Sequence, residues 1–220
     1  TRIAVHPQCR RQGLGQRLVA AAREAVRDKG GDVLGASFGA TPELLAFWQA
    51  AGFRLLRLGL RRDAASGTHA AMVGQGLTPN GERLCAEQAQ RFATHWPWLA
   101  SAFQRLEPAL LQHVKDSMPD PELPQQRLGE ADRRELQAFL DGRRDAALSR
   151  LPLCRLGAQA GAPLAHWQKQ DQQLWQRAVN DGQSWDKLRA DAVVQGRRQG
   201  QARLRELAER LWRDGPDSGV

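Results

Sequence analysis

The chain has 220 residues, of which 41% are hydrophobic, so it can form one large domain or two small ones. Its apolar segments are shorter than the ~20 residues of a membrane-spanning helix, and its three cysteines form no C-x-x-C pair of a zinc ribbon or a redox dithiol. The formal net charge of +8 favours polyanionic partners, and nucleic acid above all.

The N-terminus lacks the basic and apolar segments of a signal peptide, and the odd number of cysteines favours a reducing compartment. We therefore expect a cytoplasmic protein. Because Thr1 stands just before a predicted strand, we also expect the chain to be a piece of a longer protein, cut within a domain.

Strands and helices alternate over the first 77 residues. Strands are predicted at 2–5, 33–38, 53–60 and 69–73, and helices at 13–29 and 42–51. Gly30 and Gly31 end the first helix, and Thr41 caps the second with Pro42 at its first position. The apolar strand at 33–38 is expected to be buried, and the last two strands form an antiparallel hairpin. The order β-α-β-α-β-β predicts an α/β fold with a mixed sheet and flanking helices.

Beyond residue 77 the sequence carries almost no strand pattern and indicates helices. These are predicted at 79–95, 99–117, 130–140, 164–179 and 184–212. The segment Trp96-Pro97-Trp98 interrupts the first of them, the proline-rich residues 118–124 form a connection, and Pro216–Val220 forms a frayed tail. We therefore divide the chain into an α/β domain, residues 1–77, and a mainly helical C-terminal domain, residues 78–220.

One segment combines two glycines with three arginines between the first strand and the first helix. It reads Arg10-Arg11-Gln12-Gly13-Leu14-Gly15-Gln16-Arg17. Glycines let the backbone approach a ligand closely, and the free amides and dipole of a helix N-terminus favour an anion. The segment therefore predicts a site for a diphosphate group. The alternative is an ordinary strand-to-helix turn that begins with glycine.

This segment and its surroundings resemble known acetyltransferases. The spacing Arg10-x-x-Gly13-x-Gly15 resembles the acyl-CoA pyrophosphate loop of the GCN5-related N-acetyltransferases. Three segments also resemble the tRNA(Met) cytidine acetyltransferase family: Arg2-Ile3-Ala4-Val5-His6-Pro7, Ser37-Phe38-Gly39-x-Thr41-x-Glu43-Leu44-x-x-Phe47-Trp48-x-x-x-Gly52-Phe53 and Ser66-Gly67-x-x-x-Ala71-Met72. Beyond residue 78 the resemblance rests on position, helical character and charge.

The resemblance implies a partial GCN5-related N-acetyltransferase sheet, followed by a helical region that helps to hold tRNA. It implies acetyl transfer from acetyl-CoA to N4 of the wobble cytidine of elongator tRNA(Met), which forms N4-acetylcytidine. Members of the family also use ATP or GTP in an N-terminal part, and this chain has no G-x-x-x-x-G-K-[ST] motif. The first strands of the fold are missing as well, so we expect this chain alone to be inactive.

The resemblance also assigns residues to the cofactor. The positions expected to bind acetyl-CoA are Ile3, Ala4, Val5, Arg10, Arg11, Gln12, Gly13, Leu14, Gly15, Gln16 and Glu43. Core packing explains Ile3 and Val5 equally well, and a stabilising carboxylate in the first turn of a helix explains Glu43. We expect no metal site.

Proton transfer is assigned to a histidine, because neutral imidazole suits a general base at about pH 7. His6 directly follows the first strand and is the first candidate, while His69 is the second. The alternative for His6 is a side chain that fixes the loop through a backbone hydrogen bond. The chain contains no tyrosine, which excludes a tyrosine as general acid.

The C-terminal helices carry arginines that can follow a phosphate backbone. They are Arg189, Arg197, Arg198, Arg203, Arg205, Arg210 and Arg213. The aromatic candidates for stacking on bases are Trp167, Trp175 and Trp185. The alternative is a solvated arginine face with interleaved carboxylates, and Trp212 is expected to belong to the core.

Two further functions stay open from the sequence. The first is an acetyltransferase that acts on protein or small-molecule amines. The second is a module that binds RNA or a protein partner, in which the acetyltransferase part is a non-catalytic remnant.

Overall fold

The computed structural model describes residues 3–64, 66–103, 106–120 and 127–214. The chain divides into two compact units, Thr1–Trp96 with Ala100–Glu122 and Pro97–Leu99 with Leu123–Val220. The first unit thus continues past residue 77, where the strand pattern of the sequence ends. In the described ranges, every helix is too short or too polar to cross a lipid bilayer.

The first unit contains a three-stranded sheet with helices around it. Its strands are β1 (Val33–Gly39), β2 (Arg54–Arg62) and β3 (His69–Gly76). Its helices are α1 (Leu14–Arg27), α2 (Pro42–Ala50), α4 (Pro108–Asp116) and all but the last three residues of α3 (Pro79–Leu99). The strand order is β1-β3-β2, and both pairings are antiparallel. The predicted α/β class and the predicted hairpin of β2 and β3 are confirmed.

The sheet differs from the predicted one at its first strand. Residues 3–6 form no strand, and Arg2 lies outside the described residues. Both strand pairings in the described residues are antiparallel, so the sheet there is antiparallel rather than mixed as predicted. β1 is an edge strand, and most of its residues alternate between partly buried and exposed positions. It is therefore less buried than predicted.

The core of the first unit is centred on an aromatic cluster. The Trp48 ring stacks on Phe38 with 5.9 Å between ring centroids, and it meets Phe47 and Phe53 edge-on. Offset and edge-on ring pairs of this kind add to the free energy of burial. The cluster anchors α2 to the sheet, and α2 in turn supports the start of α1.

Local sequence signals set the helix ends as predicted. The hydroxyl of Thr41 accepts a hydrogen bond from the Leu44 amide at 3.3 Å, and that of Thr78 accepts one from the Gly81 amide at 3.2 Å. Both threonines therefore satisfy an amide that the first helical turn leaves free. At the end of α1, Gly30 adopts a left-handed φ of 71°, which glycine adopts without strain.

α3 differs from the prediction at its C-terminal end. It runs through Trp96-Pro97-Trp98 to Leu99, where the sequence predicts an interruption. Pro97 lies in the last turn, so it removes one intrahelical bond shortly before the helix would end in any case. A 3-10 turn follows at Ala100–Phe103, and α4 begins at Pro108 rather than at residue 99.

The second unit is helical in its described residues, as predicted. Its helices are α5 (Glu130–Leu140), α6 (Arg150–Ala160), α7 (Lys169–Trp175), α8 (Trp185–Ala190) and α9 (Arg197–Asp214). Their apolar faces form one core, which includes the fully buried Leu136, Phe139, Leu188 and Leu207. Trp212 packs against this core and is partly buried.

Several predicted boundaries in the second unit are wrong. α6 was not predicted, and the helix predicted at 164–179 consists of a 3-10 turn, α7 and a π-helical turn. The helix predicted at 184–212 is split into α8 and α9, because Ala192 adopts a left-handed φ of 56° between them. Residues 118–120 are not helical, whereas Pro121, Pro124 and the predicted tail lie outside the described residues.

Candidate functional site

The segment before α1 folds as a tight turn. Pro7–Cys9 forms one 3-10 turn, in which the Cys9 amide donates to the His6 carbonyl at 2.9 Å. The Arg10 side chain returns across this turn, and its Nε donates to the Val5 carbonyl at 3.3 Å. These bonds fix the path of the chain into the predicted diphosphate loop.

The backbone enters α1 through two left-handed residues, Arg11 with φ of 60° and Gly13 with φ of 77°. Glycine adopts this conformation freely, whereas a residue with a Cβ stores strain there. Strained residues of this kind cluster at ligand sites. The left-handed pair turns the chain so that α1 begins immediately after Gly13.

The start of α1 leaves backbone donors open. The first bond of the helix runs from the Arg17 amide to the Gly13 carbonyl at 3.0 Å. Within the described residues, the amides of Leu14, Gly15 and Gln16 have no protein acceptor, and α1 has neither a side-chain cap nor an acidic residue in its first turn. The positive end of the helix dipole is therefore uncompensated, which favours an anion.

The two glycines of the loop have different roles. A Cβ on Gly13 would have no atom within 4 Å, so Gly13 is needed for its backbone conformation. A Cβ on Gly15 would lie 3.1 Å from the Phe47 ring of α2, which is tighter than ordinary contact. Gly15 therefore allows α1 to pack closely on α2, in addition to leaving its amide open.

A pocket of about 530 Å³ lies beside the loop. Its lining residues are Ala4, Val5, His6, Cys9, Leu14, Arg17 and Leu18. Four of the residues predicted for the site, Ala4, Val5, His6 and Leu14, therefore meet at one cavity. Ile3 is 39% exposed and lies outside the lining. The other loop positions that do not line the pocket are Arg10, Arg11, Gln12, Gly13, Gly15 and Gln16.

Three residues of the lining were not assigned to the cofactor from the sequence. Leu18 follows Leu14 by one helical turn, so the helical spacing of α1 was a signal for it. For Arg17 the sequence predicts only a contribution to the positive charge around the loop. Cys9 lines the pocket because the 3-10 turn brings it back beside His6. This turn is not predicted from the sequence.

The two candidate histidines lie in different environments. His6 is exposed at the pocket. His69 is buried, its Nδ1 donates to the Gly59 carbonyl at 2.7 Å, and its Nε2 accepts from Nε of Arg62 at 3.4 Å. Because both ring nitrogens of His69 are engaged within the protein, its role is to hold the β2–β3 hairpin.

Glu43 stands in the first turn of α2 and does not line the pocket. Its side chain is exposed. Its own backbone amide and the Thr41 hydroxyl hold the pKa of this carboxyl below its ordinary value, and the charge of His113 adds to the effect. Glu43 is therefore ionised at neutral pH and stabilises the start of α2.

The seven candidate arginines of the second unit divide into two groups. Four have partners within the protein: Arg197 binds Asp145, Arg203 binds Asp171 and Glu206, Arg205 binds the Phe139 carbonyl, and Arg213 binds Glu209. Three are exposed and, among the residues the structure describes, bind no carboxylate or carbonyl: Arg189, Arg198 and Arg210. The second group is available for a polyanion.

The candidate tryptophans are largely used for packing. Trp175 is 2% exposed, and Trp167 meets it edge-on with 5.6 Å between ring centroids. Trp185 covers Gly200, where an added Cβ would lie 2.6 Å from the ring. Trp175 therefore has no face to offer to a base, while Trp167 and Trp185 are only partly buried.

Comparison with known proteins bears on this loop. Residues 1–55 match the acetyltransferase (GNAT) domain. A tRNA(Met) cytidine acetyltransferase TmcA of Yersinia pestis is 36% identical over 165 residues, which are 75% of this chain and 23% of that protein. Those of Photorhabdus asymbiotica and Nitrosococcus halophilus are 35% identical over 164 residues and 44% identical over 110 residues. These alignments cover 74% and 50% of this chain, and 22% and 15% of the relatives.

Over about three quarters of its length, the chain is therefore similar to curated tRNA(Met) cytidine acetyltransferases, and its first 55 residues match the acetyltransferase (GNAT) domain. The predicted resemblance is thereby confirmed. The chain spans about a quarter or less of the length of the curated relatives it matches. The GNAT match, residues 1–55, includes the whole loop and every residue that lines the pocket.

Proposed function

We propose that the protein containing this chain transfers an acetyl group from acetyl-CoA to N4 of the wobble cytidine of elongator tRNA(Met). The relatives' names support a cytidine of tRNA(Met) as the acceptor, and the loop before α1 supports acetyl-CoA as the donor. In this proposal, residues 1–77 bind acetyl-CoA and residues 78–220 contact tRNA. The rest of the complete protein uses ATP or GTP, the reaction takes place in the cytoplasm, and this chain alone is inactive.

The observation that carries the proposal is the open start of α1. Three successive amides have no acceptor within the described residues, and no carboxylate stands in the first turn. Arg11 and Arg17 are exposed beside them. A diphosphate would satisfy the amides and be attracted by both guanidiniums, so the residues present fit the diphosphate of acetyl-CoA.

The adjoining pocket supports the assignment of the reacting end. Bound acetyl-CoA supplies an acyl group that is activated as a thioester. Ala4, Val5, Leu14 and Leu18 give the pocket apolar walls against which the thioester end would lie. The N4 amine of cytidine is a poor nucleophile, because its lone pair is delocalised into the ring, so orientation contributes most to the rate. His6 lies on the same wall and would accept the proton of N4 while the new N–C bond forms, the C–S bond of the thioester breaks and CoA leaves as the thiolate.

A charge reversal at the loop tests the donor. In Gly13→Glu, a carboxylate stands at the open amides, and we expect calorimetry to find acetyl-CoA binding weakened by more than about tenfold. Gly30→Glu is the matched control, because it makes the same change at the other end of α1, where φ is 71° rather than 77° and a Cβ likewise meets no atom within 4 Å. An equal loss of binding in both variants would contradict the proposed loop.

A product analysis tests the acceptor. The complete gene product is incubated with acetyl-CoA, ATP and bulk tRNA, and we expect mass spectrometry to find N4-acetylcytidine in elongator tRNA(Met). Acetylation of lysines or of small amines alone would replace the RNA acceptor by one of those classes. If the complete product binds tRNA and no acetyl-CoA, it is a binding module with a remnant acetyltransferase part.

A further inference from the structure

β2 is an edge strand that carries an unusual set of charges. Its sequence, Arg54 to Arg62, contains four arginines, no carboxylate and no aromatic residue. Two of the four are engaged: Arg54 forms an ion pair with Glu82 of α3, and Arg62 donates to His69. Arg57 and Arg61 are exposed and, within the described residues, bind no carboxylate, carbonyl or ring.

Arg57 and Arg61 are exposed on a part of β2 whose pairing with β3 is irregular. The pairing of β2 with β3 shifts register twice, between Leu55 and Arg57 and again between Leu58 and Arg62. Buried His69 braces the second shift, because Nδ1 donates to the Gly59 carbonyl at 2.7 Å. Bulges of this kind bend a strand and redirect its side chains.

Contacts within the first unit place the turn end of this hairpin, at Arg62 and His69, at the same end of the sheet as the start of α1. Arg23, near the end of α1, donates to Gln75 at 3.0 Å, and Gln75 pairs with Leu34 at the beginning of β1. α1 therefore runs opposite to β1, and its open start lies level with the end of β1. There the Ala40 amide donates to the His69 carbonyl at 2.7 Å.

We propose that Arg57 and Arg61 bind the phosphate backbone of the RNA acceptor and so position it beside the acetyl-transfer pocket. This inference rests on the proposed function. Guanidinium groups match phosphate geometry with paired hydrogen bonds, and a strand without aromatic side chains offers no stacking surface for bases. The contact therefore contributes affinity and position and carries no base specificity.

The test compares two double variants of the complete gene product. Arg57→Gln with Arg61→Gln removes the unpartnered charges, and Arg54→Gln with Arg83→Gln removes two exposed charges of the same unit that have carboxylate partners, Glu82 and Glu87. For the first variant we expect KM for a tRNA(Met) transcript to rise about tenfold with kcat nearly unchanged, and the slope of log affinity against log salt to fall by about 2. The control is expected to change KM by less than about twofold.

Calorimetry with acetyl-CoA shows whether the variants keep the fold and the cofactor site, and we expect wild-type affinity in both. The inference is overturned by equal changes of KM in the two variants, by an unchanged KM in the first, or by loss of acetyl-CoA binding. If the wild-type product does not acetylate tRNA, the proposed function fails together with this inference. If it does and KM does not respond, only the inference fails.

Discussion

Asp132 and Arg155 form an ion pair that is nearly excluded from water. Their side chains are 1% and 11% exposed, and Nη1 of Arg155 donates to Oδ2 of Asp132 at 2.7 Å. The same carboxylate oxygen also accepts from the Gly129 amide at 2.9 Å, which fixes the start of α5. A buried charge that loses its partner keeps its desolvation cost, so such pairs are sensitive to the removal of one member.

Arg155→Met is therefore expected to lower the free energy of unfolding by about 3–5 kcal/mol, measured by urea denaturation. Arg134→Met is the control on α5, because Arg134 binds Glu130 with both side chains at least 70% exposed. Exposed pairs contribute less than about 1 kcal/mol. Comparable losses in the two variants would show that Asp132 does not depend on Arg155.

The residues of the site show what a sequence can and cannot reveal. The open amides at α1 follow from glycines placed at the start of an amphipathic helix, and the sequence pattern alone predicts them. The contact of Gly15 with Phe47 is not, because it depends on how α1 and α2 pack. The same holds for His69, whose burial and two hydrogen bonds depend on the bulge in β2.

At the scale of single elements, Thr78 connects two of them. Its hydroxyl accepts from the Gly81 amide at the start of α3 and donates to Asp32, which directly precedes β1. Thr78→Ala is expected to lower the free energy of unfolding by about 1 kcal/mol in thermal or urea denaturation. Thr78→Ser keeps the hydroxyl and should keep most of the stability, and an equal loss in Thr78→Ser would argue against the cap.

Asp145 links the turn before α6 to α9 and makes stability depend on pH. Burial raises the pKa of this carboxyl, but the Ala147 amide and the side chains of Arg197 and Gln201 outweigh burial and hold the pKa below its ordinary value. Because the folded-state pKa is the lower one, the carboxylate stabilises the fold above the unfolded-state pKa of ~3.9. That stability is lost as the pH falls through the folded-state pKa.

Asp145→Asn is expected to destabilise the protein at about pH 7, and the difference from wild type should shrink toward about pH 3. Urea denaturation at several pH values measures it. Asp186→Asn serves as the control, because Asp186 is exposed in the first turn of α8. A difference between wild type and Asp145→Asn that does not change with pH would contradict the role of the carboxylate.

The helices with strong local signals were predicted best. α5 was predicted with its observed bounds, and α2 and α3 begin at their predicted caps. No helix is predicted from the sequence at α6. Pro152 stands in the first turn of α6, where a helix tolerates proline because the missing amide would have no intrahelical acceptor. The break between α8 and α9 requires a left-handed alanine, Ala192, which no local pattern indicates.

At the scale of the whole molecule, some arginines bind groups of their own chain, whereas others are exposed and, among the described residues, bind no carboxylate or carbonyl. The net charge of +8 is a property of composition, whereas the availability of a guanidinium depends on its neighbours in the fold. The composition therefore predicted a polyanionic partner, but it did not separate Arg189, Arg198 and Arg210 from the arginines that bind carboxylates of their own chain.

This division predicts which charges matter for RNA. Replacing Arg189, Arg198 and Arg210 together by Gln is expected to weaken tRNA binding by the complete gene product about tenfold and to reduce its salt dependence. The control replaces three exposed, paired arginines of the same unit by Gln: Arg134, Arg143 and Arg213. Filter binding at several salt concentrations measures both, and equal weakening would mean that net charge alone determines affinity.

The two edge strands of the sheet differ in how well they resist pairing with a strand of a second copy of the chain. Within the described residues, β1 and β2 each pair with β3 on one side only, which leaves backbone donors and acceptors unpaired along the other. The arginines of β2 carry like charges, which are expected to repel the same edge of a second copy. β1, with its sequence VLGASFG, has no charged side chain. Aggregation of this chain is therefore expected to nucleate along β1, by strand addition between copies.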